Sequence, residues 1–146
     1  MARRRDIDRL TELEELFADL WQVPRFAAGL RRAYRPQIDV FRSEEPPELT
    51  VVVEISGADP DQIRVQVDGS RLLISGTRPR PVGERRVWYR SEIEYGPFAR
   101  EVSLAVDVAV ETATATYDRG LLRIVLPLAE RPPAPALVAI QVQRIR

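Results

Sequence analysis

Apolar and polar residues alternate through most of this chain, most strictly over residues 113–126, ATATYDRGLLRIVL. Ala113, Ala115 and Tyr117 share one face of the first run, and Thr112, Thr114 and Thr116 the other. In the second run Leu122, Ile124 and Leu126 point one way, with Leu121, Arg123 and Val125 opposite. A period of two predicts half-buried strands, because successive side chains leave opposite sides of the pleat. Asp118-Arg119-Gly120 joins the two runs, with glycine available where the backbone turns to positive φ. Pro127 has no N–H for a ladder and ends the pairing. The inward face of the first strand is small, alanine where valine or isoleucine is usual, which leaves room for side chains from elsewhere.

The same period recurs upstream. Ile38-Asp39-Val40-Phe41 predicts a short strand, and Glu44-Glu45-Pro46-Pro47 its turn. Leu49, Val51, Val53 and Ile55 line one face of a second strand, which Ser56-Gly57-Ala58-Asp59-Pro60 breaks; Asp59-Pro60-Asp61 reads as a turn or one helical turn. Ile63, Val65 and Val67 form the face of a third strand, and Asp68-Gly69 a tight hairpin into a fourth over residues 71–75. Val102, Leu104 and Val106 point inward on a later strand. Residues 76–84 read as an exposed loop. Beyond it Arg86, Val87, Trp88, Tyr89 and Arg90 have strand propensity but put adjacent aromatics on opposite faces. A strand carried on a long loop is either an edge hairpin or a segment that pairs with another chain.

The period changes at the N-terminus. Ile7, Leu10, Leu13, Phe17, Leu20 and Trp21 recur at intervals of three and four, which predicts an amphipathic helix over residues 6–21 capped by Asp6 or Asp8. Such a helix is marginal alone in water, so it packs on its own domain, on another copy or on an apolar partner. Residues 22–35 show no clean period; Pro24 and Gly29 interrupt them, and their arginines read as a solvated face. After Leu126 the chain runs through Pro127, Pro132, Pro133 and Pro135, an extended tether. It ends in ALVAIQVQRIR, where Ile140 and Val142 stand two apart with no benefit in an isolated tail.

Composition narrows the function. The 146 residues suit one domain with a tail at each end, and a formal net charge of zero gives no bulk attraction to nucleic acid or anionic membrane. There is no cysteine, which excludes disulfides and thiolate metal sites, and no histidine, which removes histidine-based triads and most catalytic metal sites. No Gly-rich phosphate loop of the Lys-Ser/Thr kind is present, so ATP turnover is not expected. Asp39, Glu54 and Glu92 have no spacing that would converge them as catalytic carboxylates. The expectation is a protein that is not an enzyme, with no catalytic residues, cofactor or metal. No run approaches a membrane span and no apolar signal core follows Arg3-Arg4-Arg5, so the expected address is the cytoplasm.

Several short motifs together resemble those of the small heat-shock proteins with their alpha-crystallin domain. The resemblance covers residues 36–128 and the tail. It rests on Pro36-Gln37-Ile38-Asp39-Val40, on Glu54-Ile55-Ser56-Gly57 followed by Ile63, and on Leu73-Ile74-Ser75-Gly76-Thr77-Arg78. It rests further on Tyr95-Gly96-Pro97-Phe98-Ala99-Arg100, on Ala115-Thr116-Tyr117-Asp118-Arg119-Gly120-Leu121-Leu122, and on Ile140-Gln141-Val142. The chain departs from the family at Ser56, where proline is usual, and at Leu104-Ala105, where Leu-Pro is common.

The resemblance implies an all-β, immunoglobulin-like antiparallel sandwich over residues 36–128. An arm with the amphipathic helix (1–35) would precede it, and a Pro-rich tether with an extended tail (129–146) would follow. It implies a homodimer in which Arg86, Val87, Trp88, Tyr89 and Arg90 pair with Ile38, Asp39, Val40 and Phe41 of a partner. It also implies a groove of Ile63, Val65, Val67, Ala113 and Ala115 that accepts Ile140 and Val142 from another subunit, building a larger homo-oligomer. The function that follows is an ATP-independent chaperone, a holdase for partly unfolded clients, with Leu10, Leu13, Phe17, Leu20 and Trp21 as the client-binding arm. The alternative is a co-chaperone adaptor of the CS-domain type; those lack the Ile-x-Val tail and the amphipathic arm.

Overall fold

In a computed structural model, which describes residues 34–83, 85–131 and 136–145, the chain folds as two packed sheets. The strands are β1 (Ile38–Glu44), β2 (Pro47–Glu54), β3 (Arg64–Asp68), β4 (Arg71–Arg78), β5 (Gly96–Ser103), β6 (Thr114–Asp118), β7 (Leu121–Pro127), β8 (Leu137–Ile140) and β9 (Val142–Arg144). One sheet has the order β1-β2-β7-β6-β9 and the other β5-β4-β3-β8. The core lies between them and is built by the period-two faces. Val51 and Val53 of β2, Val65 and Val67 of β3, Leu72 and Ile74 of β4, and Leu122, Ile124 and Leu126 of β7 are all essentially inaccessible to solvent. Register aligns these faces: Val51 is opposite Ile124, which is opposite Ala115.

The β6–β7 hairpin turns on two residues, Arg119 at φ 48° and Gly120 at φ 85°. Two successive positive φ values match the twist that a two-residue hairpin loop must carry. Gly120 has a second constraint: a Cβ there would stand 2.9 Å from Ser56 Cβ and 3.0 Å from Ser56 Cα, where the Ile55 N–H donates to the Gly120 carbonyl at 2.8 Å. Gly120→Ala is therefore expected to cost about 2–3 kcal/mol, left-handed strain plus backbone displacement. Gly69→Ala, at φ 58° with open space around it, carries only the strain term of about 1 kcal/mol. Urea unfolding of the two variants checks the difference; equal costs would show that the Ser56 contact contributes nothing.

The expected fold class needs correction on two points. The sandwich is not wholly antiparallel, because β6 pairs with β9 in parallel while β3 pairs with β8 antiparallel. One continuous tail serves the edges of both sheets, and since β3 and β6 run in opposite senses it cannot oppose both. Nor do the described residues include an amphipathic helix: they contain no α-helix, only the 3-10 turns Pro60–Gln62 and Val110–Thr112. The helix expected over 6–21 lies outside the described residues, and the two inner sheet faces complete the core against each other without one.

Three local expectations also shift. No strand forms over residues 85–90 within the single chain; a strand needs a partner edge to satisfy its backbone, and no edge of this chain pairs with them. Strand β4 instead runs on through Gly76 to Arg78, opposite a β5 that starts at Gly96. Tyr34, read as part of an aperiodic segment, is buried, with its hydroxyl donating to the Glu54 carbonyl at 2.8 Å and its ring edge-on to Phe98 at 5.8 Å.

Candidate functional site: a groove closed by the tail

The site is the seam where the two sheets would otherwise end. Strand β3 is flanked by β4 and β8, and β6 by β7 and β9. Take away the tail and both β3 and β6 become open edges, with unpaired backbone groups and an apolar cleft between them. Val65 and Val67 face the cleft from β3 and Ala115 from β6, all buried, with Ile63 buried beside them and Ala113 packed at the rim. The tail fills it: Ile140 is opposite Val65, Val138 opposite Val67, and Val142 opposite Ala115. Ile140 is only 8% exposed and belongs to the main core, against which Val138 and Val142 pack. The small Ala115 is what lets this third layer enter, since a valine or isoleucine there would occupy the same volume.

Polar contacts fix the register of the tail. The Ile145 N–H donates to the Tyr117 carbonyl at 3.0 Å, and Arg144 lies opposite Tyr117, with its guanidinium 3.7 Å from the Asp59 carboxylate. The Tyr117 hydroxyl donates to the Ile55 carbonyl at 2.9 Å. Burial pushes that hydroxyl above its ordinary pKa, partly offset by the Arg144 charge, so it remains a neutral donor at ordinary pH.

Within this single chain Ile140 thus lies opposite Val65 and Val142 opposite Ala115. Val138, Tyr117, Asp59 and Arg144 were not assigned to the groove from sequence. Val138 had a signal: it sits two before Ile140, the first member of the same alternation.

The second expected contact is not brought together within the chain. Strand β1 lies at the edge of its sheet, with β2 on one side and Phe41 46% exposed. Arg86, Val87, Trp88, Tyr89 and Arg90 lie in the exposed loop, Tyr89 98% accessible. Alternating cations and rings secure the base of that loop. The Arg78 guanidinium stands 3.8 Å from the Tyr34 ring and 5.5 Å from Tyr95; that of Arg80 stands 5.4 Å from Tyr95 and 4.8 Å from Trp88. Arg78 also donates from Nε to the Glu94 carbonyl at 2.8 Å. Leu10, Leu13, Phe17, Leu20 and Trp21 lie outside the described residues. Among the described residues no cluster of acidic side chains could hold a metal, and no helix is long and apolar enough to cross a membrane.

Comparison with known proteins decides the family. A profile of the Hsp20/alpha crystallin family matches residues 42–143. The chain belongs to that family. It is 32% identical over 139 residues to the 16.9 kDa class I heat shock protein 1 of Triticum aestivum, covering 85% of this chain and 90% of the relative. It is likewise 32% identical over 132 residues to alpha-crystallin of Mycobacterium tuberculosis, covering 89% and 87%. Among solved structures, hspA from Xanthomonas axonopodis superposes with a TM-score of 0.59 at 30% identity, over 69% of this chain and 98% of that one.

Membership of the Hsp20/alpha crystallin family supports a chaperone role, with client interaction and oligomeric behaviour of the kind such proteins show, and a protein without catalytic activity. The resemblance motifs now have physical roles. Phe98 is fully buried beneath Gly76, where an added Cβ would lie 2.7 Å from its ring. Arg100 Nη1 donates to the Pro36 carbonyl at 2.6 Å and ties the start of the domain to β5.

Proposed function

We propose that this Hsp20/alpha crystallin family protein is an ATP-independent holdase, built from strand-exchanged dimers that its tails link into a larger homo-oligomer. The observation that carries the reading is the tail groove. Its occupant is a short terminal segment held by three side chains and a few backbone hydrogen bonds, so it can leave without unfolding the sandwich. Apolar surface that can be covered and uncovered is what a holdase requires, since burying apolar area of a partly unfolded client is worth ~25 cal/mol per Å². The dimer contact in this reading joins residues 86–90 of one chain to the β1 edge of another, which would give those exposed aromatics a partner. Client capture is assigned to Leu10, Leu13, Phe17, Leu20 and Trp21 of the N-terminal arm.

The test is light scattering from an aggregating client, with and without ATP. Suppression that is independent of ATP is expected; no suppression at equimolar chains would overturn the holdase reading. Removing residues 1–33, which keeps Tyr34 in the core, should leave a folded sandwich that protects clients poorly and assembles into smaller particles. Full protection by the truncated protein would show that the arm is not where clients bind.

A further inference from the structure

We propose that Arg80 and Tyr95 are positioning residues for dimer exchange: they hold Trp88 to the base of its own loop, so that Val87 and Tyr89 are the side chains presented to a partner's β1. The inference rests on the strand-exchanged dimer proposed above and divides its loop into an anchoring side and a presenting side.

The division follows from what each loop side chain touches. Tyr34 roots the stack in the core, with its hydroxyl on the Glu54 carbonyl and its ring edge-on to Phe98. Arg78 lies over Tyr34, and both its Nε and its Nη2 donate to the Glu94 carbonyl. The Tyr95 ring stands next, 5.5 Å from the Arg78 guanidinium and 5.4 Å from that of Arg80. Arg80 in turn reaches the Trp88 ring at 4.8 Å, and its Nη2 donates to Ser91 Oγ at 3.4 Å. One guanidinium therefore ties together the two legs of the loop. A planar guanidinium can stack by its face and donate from its edge at once, which an ammonium cannot. At the tip, Arg86 donates to the Pro81 and Val82 carbonyls. Exposure follows these contacts: Trp88 is 50% exposed, whereas Val87 and Tyr89 on either side of it are 79% and 98% exposed. Arg86 and Trp88 are thus engaged within the loop, and Val87 and Tyr89 are left facing outward. A segment ordered before encounter loses less freedom on binding, which tightens the complex without any new contact.

Trp21 and Trp88 are the only tryptophans, so in the full chain carrying Trp21→Phe the emission reports Trp88 alone. In that background Arg80→Ala should red-shift and depolarise the emission at the monomeric end of a dilution series, with the unfolding midpoint unchanged. Sedimentation velocity over the same series should place the half-monomer concentration roughly 5- to 30-fold higher, because a dimer exchanges two loops and each loses one exposed cation–ring contact to Trp88. Tyr95→Leu should repeat both changes, and Tyr95→Phe, which keeps the ring, should cause neither. Val87→Ser with Tyr89→Ser should give monomers while leaving the emission of the dilute protein where it was. Emission that is indifferent to Arg80→Ala would overturn the stack, and altered emission with unchanged dimer affinity would overturn its positioning role. A Val87 and Tyr89 double variant that dimerises at the parent concentration would overturn the presenting side. In each of these cases the strand-exchanged dimer stands as long as deletion of residues 79–90 gives monomers. A deletion variant that stays dimeric would overturn that dimer, and the positioning role with it.

Discussion

Replacing Ile140 and Val142 together by alanine is expected to reduce the large particle to dimers while the sandwich stays folded. Ile140 is buried against Val65 and Val142 is half-buried against Ala115. Full burial of such a side chain is worth roughly 1.5–3 kcal/mol, so the double truncation removes about 2–4 kcal/mol per tail after discounting the exposed part of Val142. That weakens each contact by about 30- to 1,000-fold at 1.4 kcal/mol per decade. An assembly linked by many such contacts loses the product of these factors, not their sum. The sheets keep their other pairings, so circular dichroism should hardly change. Ala115→Phe should give the same size from the other side by filling the cleft, at a core cost of about 1–3 kcal/mol from overpacking. Multi-angle light scattering after gel filtration reads both variants. A double-alanine protein that elutes at the parent size would show that the tail is not the assembly contact.

Deleting residues 79–90 is expected to give folded monomers. The deletion joins Arg78 to Ser91, and because Arg78 is opposite Gly96 in the β4–β5 register, residues 91–95 are left as the connection. Five residues is an ordinary hairpin length, so the fold tolerates the loss. Arg78 keeps its place over Tyr34 and its hydrogen bond to the Glu94 carbonyl, while the Arg80–Trp88 contact goes with the loop. What disappears is the segment proposed to pair with a partner's β1. Sedimentation velocity at low micromolar concentration should show a shift from dimer to monomer with little change in unfolding midpoint. A deletion variant that stays dimeric would place the dimer contact elsewhere.

The loop illustrates why part of the site could not be read from the chain. Val87, Trp88 and Tyr89 have high strand propensity, yet they form no strand here. Propensity reports how well side chains suit a pleated surface, and a strand exists only where another edge accepts its hydrogen bonds. Tyr34 is the converse case: nothing periodic surrounds it, and it is buried because Phe98, Arg78 and the Glu54 carbonyl converge on it from residues far along the chain.

By itself the sequence determined the alternating faces of Val51 and Val53, Val65 and Val67, and Leu122, Ile124 and Leu126, hence a two-layer β fold. It also determined the turn at Arg119-Gly120, the small face at Ala115 and the orphan apolar alternation in the tail. These are local properties, set by side-chain direction and backbone freedom over a few residues. Only the tertiary structure decided that β6 and β9 run parallel, that Gly120 is pressed against Ser56, that Arg144 meets Asp59, and that Val138 lies opposite Val67. Each of these depends on which edges lie side by side and how they are directed. That is settled when distant segments meet.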